Sequence, residues 1–213
     1  MPTRIHLHDY EIRDATPKGK EQCRALSSVF QYHNDDVPFV LHPALQEVGD
    51  MGSDRGIVNS GEEVKGLLPE LFAGDKLEFD LGKIDASGVM EGWISDQGYW
   101  GYEKKAISKR VSDFRNWLFQ RPEAQVVVDT HGAVAHFLTE YWDVEDPMIG
   151  TAYKNCEHRE FVFTPQSTAE DAHVVETAES RARRGLGEPE SDPHVLEEMK
   201  KMQAEASGGH AQC

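Results

Sequence analysis

Near the middle of the chain, Gln125-Val126-Val127-Val128-Asp129 runs into Thr130-His131-Gly132, and no other segment constrains the fold as strongly. Three consecutive β-branched residues predict a strand of the continuous apolar kind that is buried on both faces of a parallel sheet. Gly132 closes the strand, and Val134, Phe137, Leu138 and Tyr141 then recur at helical spacing. The segment before the strand is a second amphipathic helix. From Tyr102 to Gln120, residues Ile107, Val111, Phe114, Trp117 and Leu118 share one stripe, with Lys104, Lys105, Lys109 and Arg110 largely off it. Helix, buried strand, tight turn and helix in that order predict an α/β domain, a three-layer sandwich around a mostly parallel sheet.

The flanking sequence adds weaker elements. Thr3 to Leu7 reads as a short, truncated opening strand, and about Lys20 to Phe30 as a helix with Leu26, Val29 and Phe30 on its apolar side. Pro38 to His42 reads as a buried strand, Gly49 to Gly61 as a polar loop, Glu62 to Leu71 as a helix and Glu160 to Thr164 as a strand. Asp75 to Gly101 has no clean period and is expected to be an irregular insert. After Pro165 the chain turns polar, charged and alanine-rich. The expected division is therefore an α/β domain over 1–165 and a mostly disordered tail over 166–213, with a short helix near Val195 to Met202.

A formal net charge of -16 repels phosphate backbones and anionic membrane surfaces, so nucleic acid and membranes are not expected partners. A small molecule remains open as a ligand, including a phosphorylated one, provided that cationic donors converge on it. Cys23, Cys156 and Cys213 form no CxxC pair, which argues for a reducing, cytoplasmic setting without a disulfide framework or a zinc ribbon. No run approaches the roughly 20 apolar residues of a membrane span. Oligomeric state is not legible in this pattern.

In an open α/β sheet, ligands bind beyond the carboxyl ends of the parallel strands. Thr130, His131 and Gly132 fall at such an end. There an imidazole can exchange protons near neutral pH or donate to an anion, and equally it can do no more than cap the turn. His131 and His136 lack the HExxH spacing, and His6-Leu7-His8 has no evident third ligand, so neither a metal nor a cofactor is expected.

The order of several short segments carries more. Ile12-Arg13-Asp14-Ala15, Thr16-Pro17-Lys18-Gly19 with Gln22-Cys23, Leu45-Gln46-Glu47, Glu91-Gly92-Trp93, Thr130-His131-Gly132 and Asn155-Cys156-Glu157 follow one another along the chain. Together they resemble the phosphoglycerate-mutase-like histidine phosphatases of the fungal branch across most of residues 9 to 165. The resemblance implies metal-independent phosphoester hydrolysis. In that chemistry one histidine attacks phosphorus, a second histidine and two arginines hold the oxygens, and a carboxylic acid protonates the leaving group. By position His131 is similar to the second histidine and Glu47 to the acid.

The chain departs from the family in three places. Ile5-His6-Leu7-His8-Asp9-Tyr10 stands where an Arg-His-Gly or Arg-His-Ala box belongs. Val29 to Val37 is acidic where a Ser-Pro box with arginines should lie, and Met51-Gly52-Ser53 shortens the loop after Glu47. Activity as a phosphoric monoester hydrolase is therefore expected to be impaired. The rivals are a repurposed acid–base enzyme acting through Glu47 and His131 on an unphosphorylated molecule, a non-catalytic binder, and an incomplete product with an open apolar sheet edge.

Overall fold

A computed structural model describes residues 4–9, 37–48, 58–71, 80–142, 146–149, 152–154 and 157–185. Its main sheet has four strands in the order β4-β1-β5-β6, with β1 Arg4–Asp9, β4 Gln125–Thr130, β5 His158–Phe163 and β6 Val174–Glu176. Strand β1 pairs parallel with β4, with Asp9 beside Thr130, and antiparallel with β5, which in turn pairs antiparallel with β6. Three of the four strands thus point the same way. Because β5 runs between them in the opposite sense, only one of the three pairings is parallel, and the expected mostly parallel sheet is corrected to a mixed one. The opening strand is also longer than the sequence implied: it spans six residues and sits inside the sheet.

Helix packing follows the apolar stripes. α1 is Gly61–Leu71, α2 Lys104–Phe119, α3 Gly132–Thr139 and α4 Ala178–Arg183. Ile107, Val111, Phe114 and Leu118 of α2 are fully or almost fully buried against Val134, Phe137 and Leu138 of α3 and against Val128, Phe161 and Val174 of the sheet. Phe119 meets Phe163 edge-on at 5.0 Å, closing the far end of this layer. The chain is an α/β protein on these grounds.

On the other face of the sheet Val127 is 50% exposed and Val175 48%. Strand β4 therefore alternates instead of being buried on both faces, which corrects the expectation drawn from its β-branched run. Among the described residues β4 is also an edge strand.

Two other segments behave differently from their sequence. Among the described residues Phe39–Val40 (β2) pairs only with Ile84–Asp85 (β3), in parallel, and Phe39 is 51% exposed. The expected irregular insert is consequently ordered around β3, and it buries Ile84, Ala86 and Val89. Gly61 opens α1 against this segment. A Cβ there would lie 2.1 Å from the Ala86 carbonyl oxygen, so only glycine permits that approach.

The reading of everything after Pro165 as tail is corrected for residues 166–185. β6 extends the main sheet, Ala172 and Val174 are buried, and Ser180 of α4 is fully buried, accepting from the Glu160 amide at 3.0 Å. Arg115 of α2 reaches across to this segment, donating to the Ala172 carbonyl at 2.8 Å and to the Phe137 carbonyl at 2.7 Å. The helix expected at Lys20 to Phe30 and the one near Val195 to Met202 lie outside the described residues.

Candidate functional site

Thr130 ends β4 on its buried side and donates through Oγ1 to the Leu45 carbonyl at 3.0 Å. That bond ties the strand end to the 3-10 turn Pro43–Leu45, whose start is capped by His42 Nδ1 accepting from the Ala44 amide. Glu47 follows the turn and His131 follows Thr130. The Thr130–Leu45 bond therefore helps to carry the two candidates to one place. Glu47 Oε2 lies 3.8 Å from His131 Nδ1, and Glu47 Oε1 accepts from the Val48 amide at 2.7 Å.

His131 occupies the N-cap position of α3, its carbonyl accepting from the Ala135 amide, but its side chain makes no capping hydrogen bond. The ring is turned toward Glu47 instead. The side chain therefore does not serve the turn as an N-cap acceptor. The imidazole is 37% exposed and the Glu47 carboxylate 20%, so both reach solvent.

Arg110 was not among the candidates, yet it borders this pair. It is 1% exposed and spreads its guanidinium over three carbonyls, with Nη2 to Gln46 at 3.2 Å and Nη1 to Gly101 at 3.0 Å and to Trp100 at 3.4 Å. Burial lowers its pKa, and attraction to Glu47, Tyr99 and Asp96 opposes that shift. Read only as one of four charges flanking an apolar stripe, it looked solvated. Its spacing of three from Ile107 and four from Phe114 was the signal that it shares their face.

The remaining resemblance segments fall around the same turn where they are described. Gln46 Nε2 donates to the Trp93 carbonyl at 3.2 Å, Trp93 Nε1 to the Val58 carbonyl at 3.1 Å, and Asn59 Oδ1 accepts from the Gly92 amide at 2.9 Å. Glu91-Gly92-Trp93 thus braces the Glu47 turn. The segments over residues 12–23, Met51 to Ser53, and Asn155 with Cys156, lie outside the described residues, as do the side chains of His6 and His8. Among the described residues no group of three metal-ligating side chains converges, and no helix is long and apolar enough to cross a membrane.

His136, one turn into α3, is a core residue. It is 0% exposed, its Nδ1 meets the Tyr141 carbonyl at 3.2 Å, and its Nε2 has no hydrogen-bond partner among the described residues. Burial, with the positive charge of Arg159 adding to it, lowers its pKa to about 4. The folded state therefore holds this imidazole neutral while the unfolded chain takes up a proton below about pH 6.5. Its contribution is fully present above that pH and is lost as the pH falls to about 4, by at most about 3 kcal/mol. His42, lowered to about 4 by burial, acts with the same sign. Asp129, raised to about 6 by burial, acts with the opposite sign over the same range, so the His136 share is the part of the pH dependence that His136→Gln removes in urea titrations between pH 7 and 4.

No family model, no curated protein and no solved structure matches this chain.

Proposed function

We propose that this chain is a histidine-phosphatase-like protein of the phosphoglycerate-mutase-like kind, a three-layer sandwich truncated relative to that family, which keeps the acid and second-histidine half of the site. The observation that carries this reading is the 3.8 Å approach of Glu47 to His131 beyond the carboxyl end of β4, where the parallel β1–β4 pair also brings the end of the opening strand. In such a site a nucleophilic histidine would follow β1. Here β1 ends at Asp9, and Tyr10-Glu11 follow it, with no Arg-His pair.

Phosphoester hydrolysis by this chain is absent or very weak. A transferring phosphoryl group spreads charge over its oxygens and needs fixed cationic donors. Both Nη atoms of Arg110, the buried cation beside the pair among the described residues, are committed to carbonyls. Losing one donor of this kind costs about 2.7 to 4 kcal/mol, or roughly 10²–10³ in rate, and the sequence lacks both the Arg-His box and the Ser-Pro box with its arginines. Purified protein assayed on an aryl phosphate at acidic and neutral pH should show little turnover above a His131→Ala control. Robust hydrolysis that vanishes in the control would overturn the impairment.

The commitment of Arg110 also favours a second reading, in which Glu47 and His131 transfer protons on an unphosphorylated small molecule in the cytoplasm. Such chemistry needs the carboxylate, the imidazole and access to solvent, which this pair has.

A further inference from the structure

The approach to β6 is pinned to the helices by charge. His173, the residue before β6, has a carboxylate at each ring nitrogen: Glu140 Oε1 and Oε2 lie 2.9 and 3.0 Å from Nδ1, and Asp171 Oδ1 lies 3.2 Å from Nε2. A neutral imidazole has one N–H and would turn a lone pair on the second carboxylate, whereas the imidazolium donates to both. From this geometry we propose that His173 is a pH-dependent clasp, which in its protonated form fastens β6 to the end of α3 and which loosens on losing the proton.

The partner that receives His173 is held in place at a conformational cost. Glu140 ends α3 in the left-handed conformation, with φ 55° and ψ 32°, where a helix more commonly places glycine or asparagine because a Cβ is crowded there. That backbone puts its carboxylate between His173 and Arg115 of α2, whose Nη2 is 3.3 Å away. Arg115 Nε in turn donates to the Ala172 carbonyl, one residue before His173, so α2, α3 and the approach to β6 converge on this carboxylate. The charged groups facing His173 among the described residues are thus Glu140 from α3, Asp171 from its own segment and, beyond Glu140, Arg115 from α2. Ser167 meets only its backbone, accepting from the amide at 2.9 Å and donating to the carbonyl at 2.8 Å.

The two carboxylates, Glu140 foremost, hold the His173 pKa above its ordinary value. Docking is therefore strongest below about pH 6.5 and weakens as the pH rises through the raised midpoint. Each unit between the docked and undocked midpoints changes the docking equilibrium about tenfold. Release bares the edge of β5 from Phe161 to Phe163.

Nuclear magnetic resonance on the full chain, without any substrate, tests the clasp. The His173 ring signals are expected to titrate above about pH 6.5 in the wild type, and in Glu140→Gln about half a unit or more lower than that. The Thr164 amide, which donates to the His173 carbonyl at 2.9 Å, reports on docking through its hydrogen-exchange protection. Corrected for intrinsic exchange, that protection should fall about threefold or more between about pH 6 and 8.5 in the wild type and stay level in His173→Gln. A wild-type midpoint at or below about 6.5, or the same fall in His173→Gln, overturns the proposal. If Glu140→Gln does not fold, the wild-type midpoint and His173→Gln, a change at a side chain 42% exposed, decide it.

Discussion

A chain cut after Pro165 is expected to lose its cooperative unfolding transition. The cut removes β6 and exposes the length of β5 that it pairs with, from Phe161 to Phe163. It takes away the buried Ala172, Val174 and Ser180. It also strips α2 of its anchors: Arg115 loses the Ala172 carbonyl, and Asn116 loses the Glu170 carbonyl and the Ala172 amide, each at 2.8 Å. Arg115 is 7% exposed and keeps the Phe137 carbonyl and Glu140, so the loss of its buried hydrogen bond to Ala172 costs about 1 to 3 kcal/mol. The severed sheet and apolar contacts add to this, against a total stability of about 5 to 15 kcal/mol for a domain of this kind. Near-ultraviolet circular dichroism with thermal melting checks it, beside a control ending at Gly185 that retains every contact named here. A melting temperature within a few degrees of the full chain would show that β6 and α4 are dispensable.

Arg159→Ala is expected to be the most damaging single substitution in the described core. Arg159 sits in β5 opposite Leu7 of β1 and is 1% exposed. Its Nε donates to Glu157 Oε1 at 2.9 Å, and its Nη2 donates to Glu157 Oε2 at 3.0 Å and to the Ala152 carbonyl at 2.6 Å. The guanidinium lies 3.8 Å from the centre of the Tyr153 ring, and the Tyr153 hydroxyl meets Thr139 Oγ1 at 2.6 Å, so the arginine links β5 to the end of α3. Truncation empties the face of Tyr153 and leaves the Glu157 carboxylate, 13% exposed, with the Lys154 amide at 2.7 Å and Arg184 at 3.8 Å. The expected loss is about 3 to 5 kcal/mol, which lowers the melting temperature by roughly 10 °C or more. Arg159→Lys should recover little, because one ammonium cannot span both carboxylate oxygens and the carbonyl as the planar fork does. Equal stabilities of the lysine variant and the wild type would mean that charge alone matters at this position.

Much of the frame around the site was legible in residue order. Ile107, Val111, Phe114 and Leu118 fall on the buried face of α2 as their spacing requires, and the β-branched run followed by Gly132 marks β4 and the start of α3 within a residue. These features are local: periodicity and turn chemistry act over a few residues and need no partner to be recognised. His131 at the strand end was legible for the same reason.

What residue order left open was every feature that depends on a distant segment. Val174-Val175-Glu176 is too short and too polar in its surroundings to announce a strand, and it becomes one by pairing with β5. Val127 is β-branched like its neighbours, yet whether it is covered depends on what packs on that face of the sheet. The parallel pairing of β1 with β4 against the antiparallel β5 is likewise a choice between partners, which the strands' own sequences do not encode. Arg110 shows the same limit in a single residue, since its charge argues for solvent and its spacing for the core, and three backbone carbonyls from two other segments decide for the core. The helix stripes, the central strand and the position of His131 follow from short-range periodicity and so from residue order. The tertiary structure alone decided the sheet order, the docking of residues 166–185 and the meeting of Glu47 with His131, because hydrogen-bond partners and burial are set by segments far apart in the chain.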